Sequence, residues 1–165
     1  MNICYVCTGN ACRSPFAECV TKALLEHEPL APADVQVYSC GTYDWGMHNR
    51  DSVMVKVAQE MGYQLTGVTT YMTRELLMKA DLIITFSHAH RDAITRILDY
   101  SHWNRIVLFS QLAFGVPEEV VDPNFQTTNV YHRVAQQIEE GCRNIVHKLL
   151  HTDLSGRTQS FNSQP

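Results

Sequence analysis

Asn2-Ile3-Cys4-Tyr5-Val6-Cys7-Thr8-Gly9-Asn10-Ala11-Cys12-Arg13-Ser14-Pro15 is the stretch whose reading decides the fold. Asn2 to Val6 is a short apolar run suited to a buried strand, and Cys7 to Arg13 is a turn containing Gly and Asn. Pro15 sits where the first turn of a helix tolerates it, because its missing N–H would be unpaired there anyway. Phe16 to Glu28 continues as that helix. A strand, a tight turn and a helix in this order open a βα unit.

The alternation continues outward. After a loop from Pro29 to Asp34, Val35 to Cys40 reads as a second strand ended by Gly41. Asp51 to Gly62 is helical, with Val53, Val57, Ala58 and Met61 on one face and Gly62 as its stop. Thr73 to Ala80 is a short helix, Asp81 to Phe86 a third strand, His88 to Leu98 a helix, and Arg105 to Phe109 the fourth strand. An irregular stretch holding Gly115, Pro117 and Pro123 leads to a long helix from Thr128 to Leu150. Its Val130, Val134, Ile138, Cys142, Ile145 and Leu149 recur every three or four residues, so one stripe is buried. The pattern predicts a three-layer α/β fold, a four-stranded parallel sheet with helices on both faces. Ligands of such sheets bind beyond the carboxyl ends of the strands, which directs attention to the loop between the first strand and the first helix. Residues 1–151 are expected to form one domain and the polar residues 152–165 a mobile tail.

Composition narrows the function classes. With 165 residues, 45% of them hydrophobic, the chain suits one domain with a proper core and excludes a disordered protein. Thirteen Lys and Arg against 17 Asp and Glu give a net charge of −4 with no basic stripe, so no nucleic-acid partner is expected. The apolar runs are strand-length, short of the roughly 20 residues of a spanning helix, and no membrane association is expected. The N-terminus lacks the pattern of a secretory leader. Of the six cysteines, four crowd into the first 19 residues, which suits free thiols in a reducing, cytoplasmic compartment rather than a disulfide framework.

Each position of Cys7 to Pro15 has a chemical reason. A Cys beside a helix N-terminus meets the positive end of the dipole and several unpaired amides, which favour its thiolate. The same amides of Thr8, Gly9, Asn10, Ala11, Cys12, Arg13 and Ser14 make a concavity for a phosphate. Gly9 is expected to let the backbone turn inward, and Asn10 to tolerate a left-handed conformation. Arg13 can offer two parallel donors to phosphate oxygens, and Ser14 can donate to the sulfur. The expected reaction is attack on phosphorus, giving a cysteinyl phosphate. Asp122-Pro123 is the best source of a proton for the leaving oxygen and later a base toward water, although Asp-Pro also serves as a plain turn signal. A nucleotide loop is excluded because Gly-Lys-Ser/Thr is missing. Cys4 lies along a strand and reads as a small buried residue, and Cys4, Cys7, Cys12 and His27 lack the paired spacing of a zinc site. His48, His88, His90 and His102 read as surface or loop residues.

Cys7 to Pro15 with Ala17-Glu18 resembles the signature of the low-molecular-weight protein tyrosine phosphatases. Ser39-Cys40-Gly41-Thr42, Ala80-Asp81-Leu82-Ile83, His90-Arg91-Asp92 and Asp122-Pro123 are similar to further family segments and follow in the family's order. The resemblance implies Cys7 as nucleophile, Arg13 as phosphate clamp and Asp122 as general acid. It implies that Asn10, Ser14 and Ser39 hold the loop, with Ser39 bonding Asn10, and that Cys12 can form a reversible disulfide with Cys7. Trp45, with Tyr43 as the competing choice, and Phe125 would be the aromatic walls that favour a phosphotyrosine ring. The implied enzyme is cytoplasmic and uses neither metal nor cofactor. Its implied partners are phosphotyrosine proteins, a tyrosine kinase among them, with phosphate and other oxyanions as inhibitors.

The chain departs from the family's pattern at Gly67 to Tyr71, where a His and an Arg are common, at Phe86-Ser87, and at His48-Asn49-Arg50. These departures touch substrate preference rather than the chemistry. The alternative on the same scaffold is a protein-arginine phosphatase, a branch that carries Thr where this chain has Ala11. Arsenate reductase would need two further cysteines beyond the third strand, and residues 81–141 hold none. A non-catalytic phosphate-binding module would not need Cys7, Arg13 and Asp122 together.

Overall fold

Alternate residues of the first strand face opposite layers, and that period of two builds both halves of the core. The computed structural model describes residues 1–29 and 34–151. The expected tail, and all of the expected loop 29–34 but its ends, lie outside those residues. Strand β1 (Asn2–Cys7) runs between β2 (Gln36–Gly41) and β3 (Leu82–Thr85), with β4 (Ile106–Leu108) beyond β3. The order is β2-β1-β3-β4 and every pairing is parallel. Ile3, Tyr5 and Cys7 pack with Phe16, Met54, Phe109 and Ile138 on one face, while Cys4 and Val6 pack with Cys40, Leu77, Ile94 and Ile106 on the other.

The first face is covered by α1 (Arg13–Glu26), α2 (Ser52–Glu60), α5 (Phe109–Phe114) and α6 (Thr128–His151). The second is covered by α3 (Arg74–Lys79) and α4 (His88–Thr95). The chain leaves β1 through α1 toward β2, and β3 lies on β1's other side. The sheet therefore reverses its winding between β1 and β3, and a crevice opens beyond their carboxyl ends.

Several boundaries shift from the sequence reading, α4 for instance ending at Thr95, and two of the shifts bear on the site. Helix α1 starts at Arg13, ahead of Phe16, and the Phe16 amide donates to the Cys12 carbonyl at 3.2 Å. Cys12 is not a capping residue type and makes no side-chain cap bond, so no local signal marks this start. The fourth strand stops at Leu108, and Phe109 opens α5, which closes on Gly115 at φ 76°. An apolar run does not distinguish a strand from a buried helix. Packing decides here: the Phe109 ring stacks on Phe86 at 5.1 Å and lies against α6.

Gly141 makes that last contact possible. A Cβ at this position would lie 2.4 Å from two carbons of the fully buried Phe109 ring. Helix propensity favours replacing a mid-helix glycine by up to about 1 kcal/mol, but overpacking a rigid core costs about 1–3 kcal/mol. Gly141→Val is therefore expected to lower the urea midpoint of unfolding, and an unchanged or raised midpoint would refute this account of the α5–α6 contact.

Candidate active site

The loop after β1 is shaped by how closely β2 approaches it. A Cβ on Gly41 would lie 2.7 Å from the Thr8 carbonyl oxygen and 2.9 Å from the Asn10 nitrogen, so only glycine fits. The amides of Thr42 and Tyr43 then donate to the carbonyls of Cys7 and Thr8 at 2.9 and 3.0 Å. The Asp51 amide donates to the Ala11 carbonyl at 3.0 Å, while the Asp51 side chain caps α2 through the Met54 amide.

Asn10 lies at the centre, fully buried and left-handed at φ 51°. Its Nδ2 donates to Ser14 Oγ at 3.0 Å and to Ser39 Oγ at 2.8 Å. Its Oδ1 accepts from the Thr70 amide at 2.8 Å and from Arg50 Nη1 at 2.7 Å, and Arg50 Nη1 also meets the Asn10 carbonyl oxygen. Ser39 Oγ donates to Glu18 Oε2 at 2.6 Å, and Lys22 Nζ donates to the other Glu18 oxygen at 2.6 Å.

Cys7 Sγ lies 3.0 Å from Ser14 Oγ. The single Ser14 proton has two possible acceptors, this sulfur and the Cys40 carbonyl at 3.3 Å. In the contact with the sulfur either partner can be the donor, and the carbonyl distance is long for an O–H donor. Arg13 is buried, with Nη1 donating to the Val120 carbonyl at 3.0 Å and Nη2 to Asp122 Oδ2 at 2.7 Å. Its Nε is buried without a protein partner. Cys7, Thr8, Gly9, Ala11, Cys12, Arg13, Trp45, His48, Asp51, Asp122 and Asn124 line one cleft of about 360 Å³. The structure thus brings the two halves of the sequence motif set, 109 residues apart, to one place.

Gly9 serves a second purpose. It is absent from the positive-φ glycines, and its lack of a side chain admits Trp45, whose Nε1 would lie 2.8 Å from a Cβ there. Trp45 leans on the loop and remains 53% exposed, with the Tyr43 ring centre 4.5 Å from its own. Phe125 is 97% exposed at φ 62° and does not line the cleft, whereas its neighbour Asn124 does. Cys12 is buried, and burial, followed by the charges of Cys7, Asp51 and Asp122, pushes its thiol well above the usual range. Among the described residues no group of three or more His, Cys, Asp or Glu is placed to hold a metal ion, and no helix is long and apolar enough to cross a membrane.

His90 is the clearest correction, for the sequence reading left it at the surface. It is 3% exposed, and its Nε2 lies 2.9 Å from Thr8 Oγ1, because the loop after β1 and the first turn of α4 meet at the crevice. Burial first, and the charge of Arg13 second, push its pKa down to about 3. A neutral ring carrying its proton on Nε2 donates to Thr8 and leaves the unpartnered Nδ1 as a bare lone pair, so no buried N–H is orphaned. Arg50 was also missed as a loop contact. Forty residues separate it from Asn10, and no periodicity links the two.

The family model described as "Low molecular weight phosphotyrosine protein phosphatase" matches residues 2–155. The protein-arginine-phosphatase of Bacillus subtilis is 29% identical over 149 residues, covering 90% of this chain and 97% of the relative. A low molecular weight protein-tyrosine-phosphatase of Streptomyces coelicolor is 32% identical over 142 residues, covering 83% and 86%. A crystal structure of a low molecular weight phosphotyrosine phosphatase from Vibrio cholerae superposes with a TM-score of 0.85 at 26% identity, covering 93% and 99%.

The buried His90 has a consequence for acid stability. Below pH 6.5 the unfolded chain binds a proton there that the folded chain refuses until about pH 3. Stability therefore falls as pH drops through that window, by up to about 1.4 kcal/mol per unit from this group. Urea unfolding of His90→Gln between pH 6.5 and 4 is expected to show a shallower pH slope than the parent, by close to one proton. Equal slopes would show that His90 ionises freely in the fold.

Proposed function

We propose that this chain, which belongs to the low molecular weight phosphotyrosine protein phosphatase family, hydrolyses phosphotyrosine in proteins, and small aryl phosphates, through a cysteinyl-phosphate intermediate. The observation that carries the chemistry is the Cys7–Ser14 contact at 3.0 Å inside a loop whose Arg13 reaches Asp122 at 2.7 Å. Cys7 sulfur attacks phosphorus while the bond to the aryl oxygen breaks, and Asp122 gives that oxygen its proton. Water then attacks phosphorus, Asp122 takes its proton, and the released sulfur recovers the Ser14 hydrogen bond. The loop amides and Arg13, whose Nε has no protein partner, hold the three equatorial oxygens. Cys12, the buried neighbour, would serve as the disulfide partner that protects Cys7 from over-oxidation.

The cleft favours an aryl ester over a phosphoguanidine. Trp45 offers a flat, half-exposed wall. Ala11 brings no hydroxyl, and both Asp51 oxygens are already taken, by the Met54 amide and by the Tyr131 hydroxyl at 3.0 Å. The competing reading, a protein-arginine phosphatase, draws on the likeness to the Bacillus subtilis enzyme. Six free thiols support a reducing, cytoplasmic setting. Phosphotyrosine proteins, a tyrosine kinase among them, are the partners, and phosphate and similar oxyanions the inhibitors.

Cys7→Ser is expected to lose turnover while still binding phosphate, and to capture phosphotyrosine proteins. Asp122→Ala is expected to slow hydrolysis by on the order of 100-fold or more for poor leaving groups and much less for good ones. In paired assays, kcat/KM for a phosphotyrosine peptide should exceed that for a phosphoarginine peptide. The opposite order would transfer the assignment to the arginine branch, and turnover surviving in Cys7→Ser would remove the covalent mechanism altogether.

A further inference from the structure

Arg50 takes part in no step of the proposed reaction, yet it holds Asn10 of the phosphate loop directly. It lies between the Trp45 segment and α2, directly before the residue that caps that helix. Its Nη1 donates to both Asn10 oxygens and its Nε to the Thr66 carbonyl at 3.1 Å. The residue it grips is non-glycine and left-handed, a conformation that asparagine tolerates better than most side chains but that still carries a steric cost its partners offset. From Asn10 the path to the sulfur is short: Nδ2 to Ser14 Oγ at 3.0 Å, then Ser14 Oγ to Cys7 Sγ at 3.0 Å.

We propose that Arg50 is a positioning residue for Cys7, whose planar fork ties Asn10, through Nη1, to the Thr66 carbonyl, through Nε, from behind the loop and whose charge favours the ionised sulfur. The inference rests on reading Cys7 as the nucleophile. It separates two properties of one side chain, because lysine keeps the charge but cannot reproduce the fork. The electrostatics agree with the geometry. Burial draws the Arg50 pKa down, while the Glu18 carboxylate and the Cys7 sulfur oppose that. Arg50 is also reachable from outside. Two clefts, of about 280 and 400 Å³, are both lined by Arg50 and Glu18, one with Cys19, Tyr63 and Thr66 and the other with Tyr38 and Thr70. A small planar cation could enter the space left by a truncated side chain.

The test compares the parent chain with Arg50→Lys, Arg50→Gln and Arg50→Ala in p-nitrophenyl phosphate turnover, alongside iodoacetamide alkylation of Cys7 across pH. Arg50→Gln and Arg50→Ala are expected to lose kcat by on the order of 100-fold with KM changed by less than about threefold. Their alkylation profiles should move to higher pH. Arg50→Lys should lose roughly tenfold in kcat while keeping an alkylation profile near the parent's, because charge remains and the fork does not. Millimolar guanidinium should restore part of the kcat of Arg50→Ala and none of the parent's. An Arg50→Gln chain within about twofold of the parent in kcat, or one whose whole loss lies in KM, overturns the proposal. If the truncated variants fail to fold, Arg50→Lys decides: parent-like kcat at an unchanged melting temperature rejects the role of the fork. A parent chain that neither turns over aryl phosphate nor alkylates readily at Cys7 would instead sink the nucleophile reading, a different result.

Discussion

A left-handed asparagine with no exposed surface is the constraint on which the rest of this site depends. Asn10 at φ 51° reverses the chain so that the backbone after β1 curls and then enters α1. Such a conformation carries a steric cost for any residue with a Cβ, and a buried amide group costs more still if unpaired. Both costs are met by partners from four separate segments: Ser14 from α1, Ser39 from β2, Thr70 from the approach to α3, and Arg50 from the approach to α2. The shape of the loop is therefore a property of the assembled domain and not of the nine residues that carry the motif.

The Arg13–Asp122 contact is read differently. It is short, but the Asp122 side chain is 46% exposed, and ion pairs with a solvated member contribute little to stability. Its meaning is positional. It shows that the segment ahead of α6 delivers a carboxylate to the rim of the loop, and the Val120 carbonyl bound to the same guanidinium keeps that segment in place. The same crevice explains His90, which the first turn of α4 buries beside Thr8.

Much of the fold was legible from patterning. The βα alternation, the four strands and the stripe on α6 are consequences of burial periodicity, which a single chain records directly. The misplacements have physical reasons. Phe109 continues an apolar run, and only its stacking on Phe86 turns that run into a helix. Gly9 reads as a turn glycine, and the fold adds that the space it leaves is taken by Trp45. His90 looks like a polar helix residue, and its burial depends on which loop lies above it.

The identity and order of the candidate groups, from Cys7 to Ser14 and at Asp122, could be read from residue types alone, because thiol, guanidinium, hydroxyl and carboxyl are properties of side chains. Tertiary structure alone decided the distances between them and the supports behind them. Arg50 and Asn10 are 40 positions apart, Thr8 and His90 are 82, and Arg13 and Asp122 are 109. Hydrogen bonds act over about 3 Å, and no periodicity along the chain encodes which remote segments will come that close. The parallel sheet does so, by setting the carboxyl ends of β2, β1, β3 and β4 side by side.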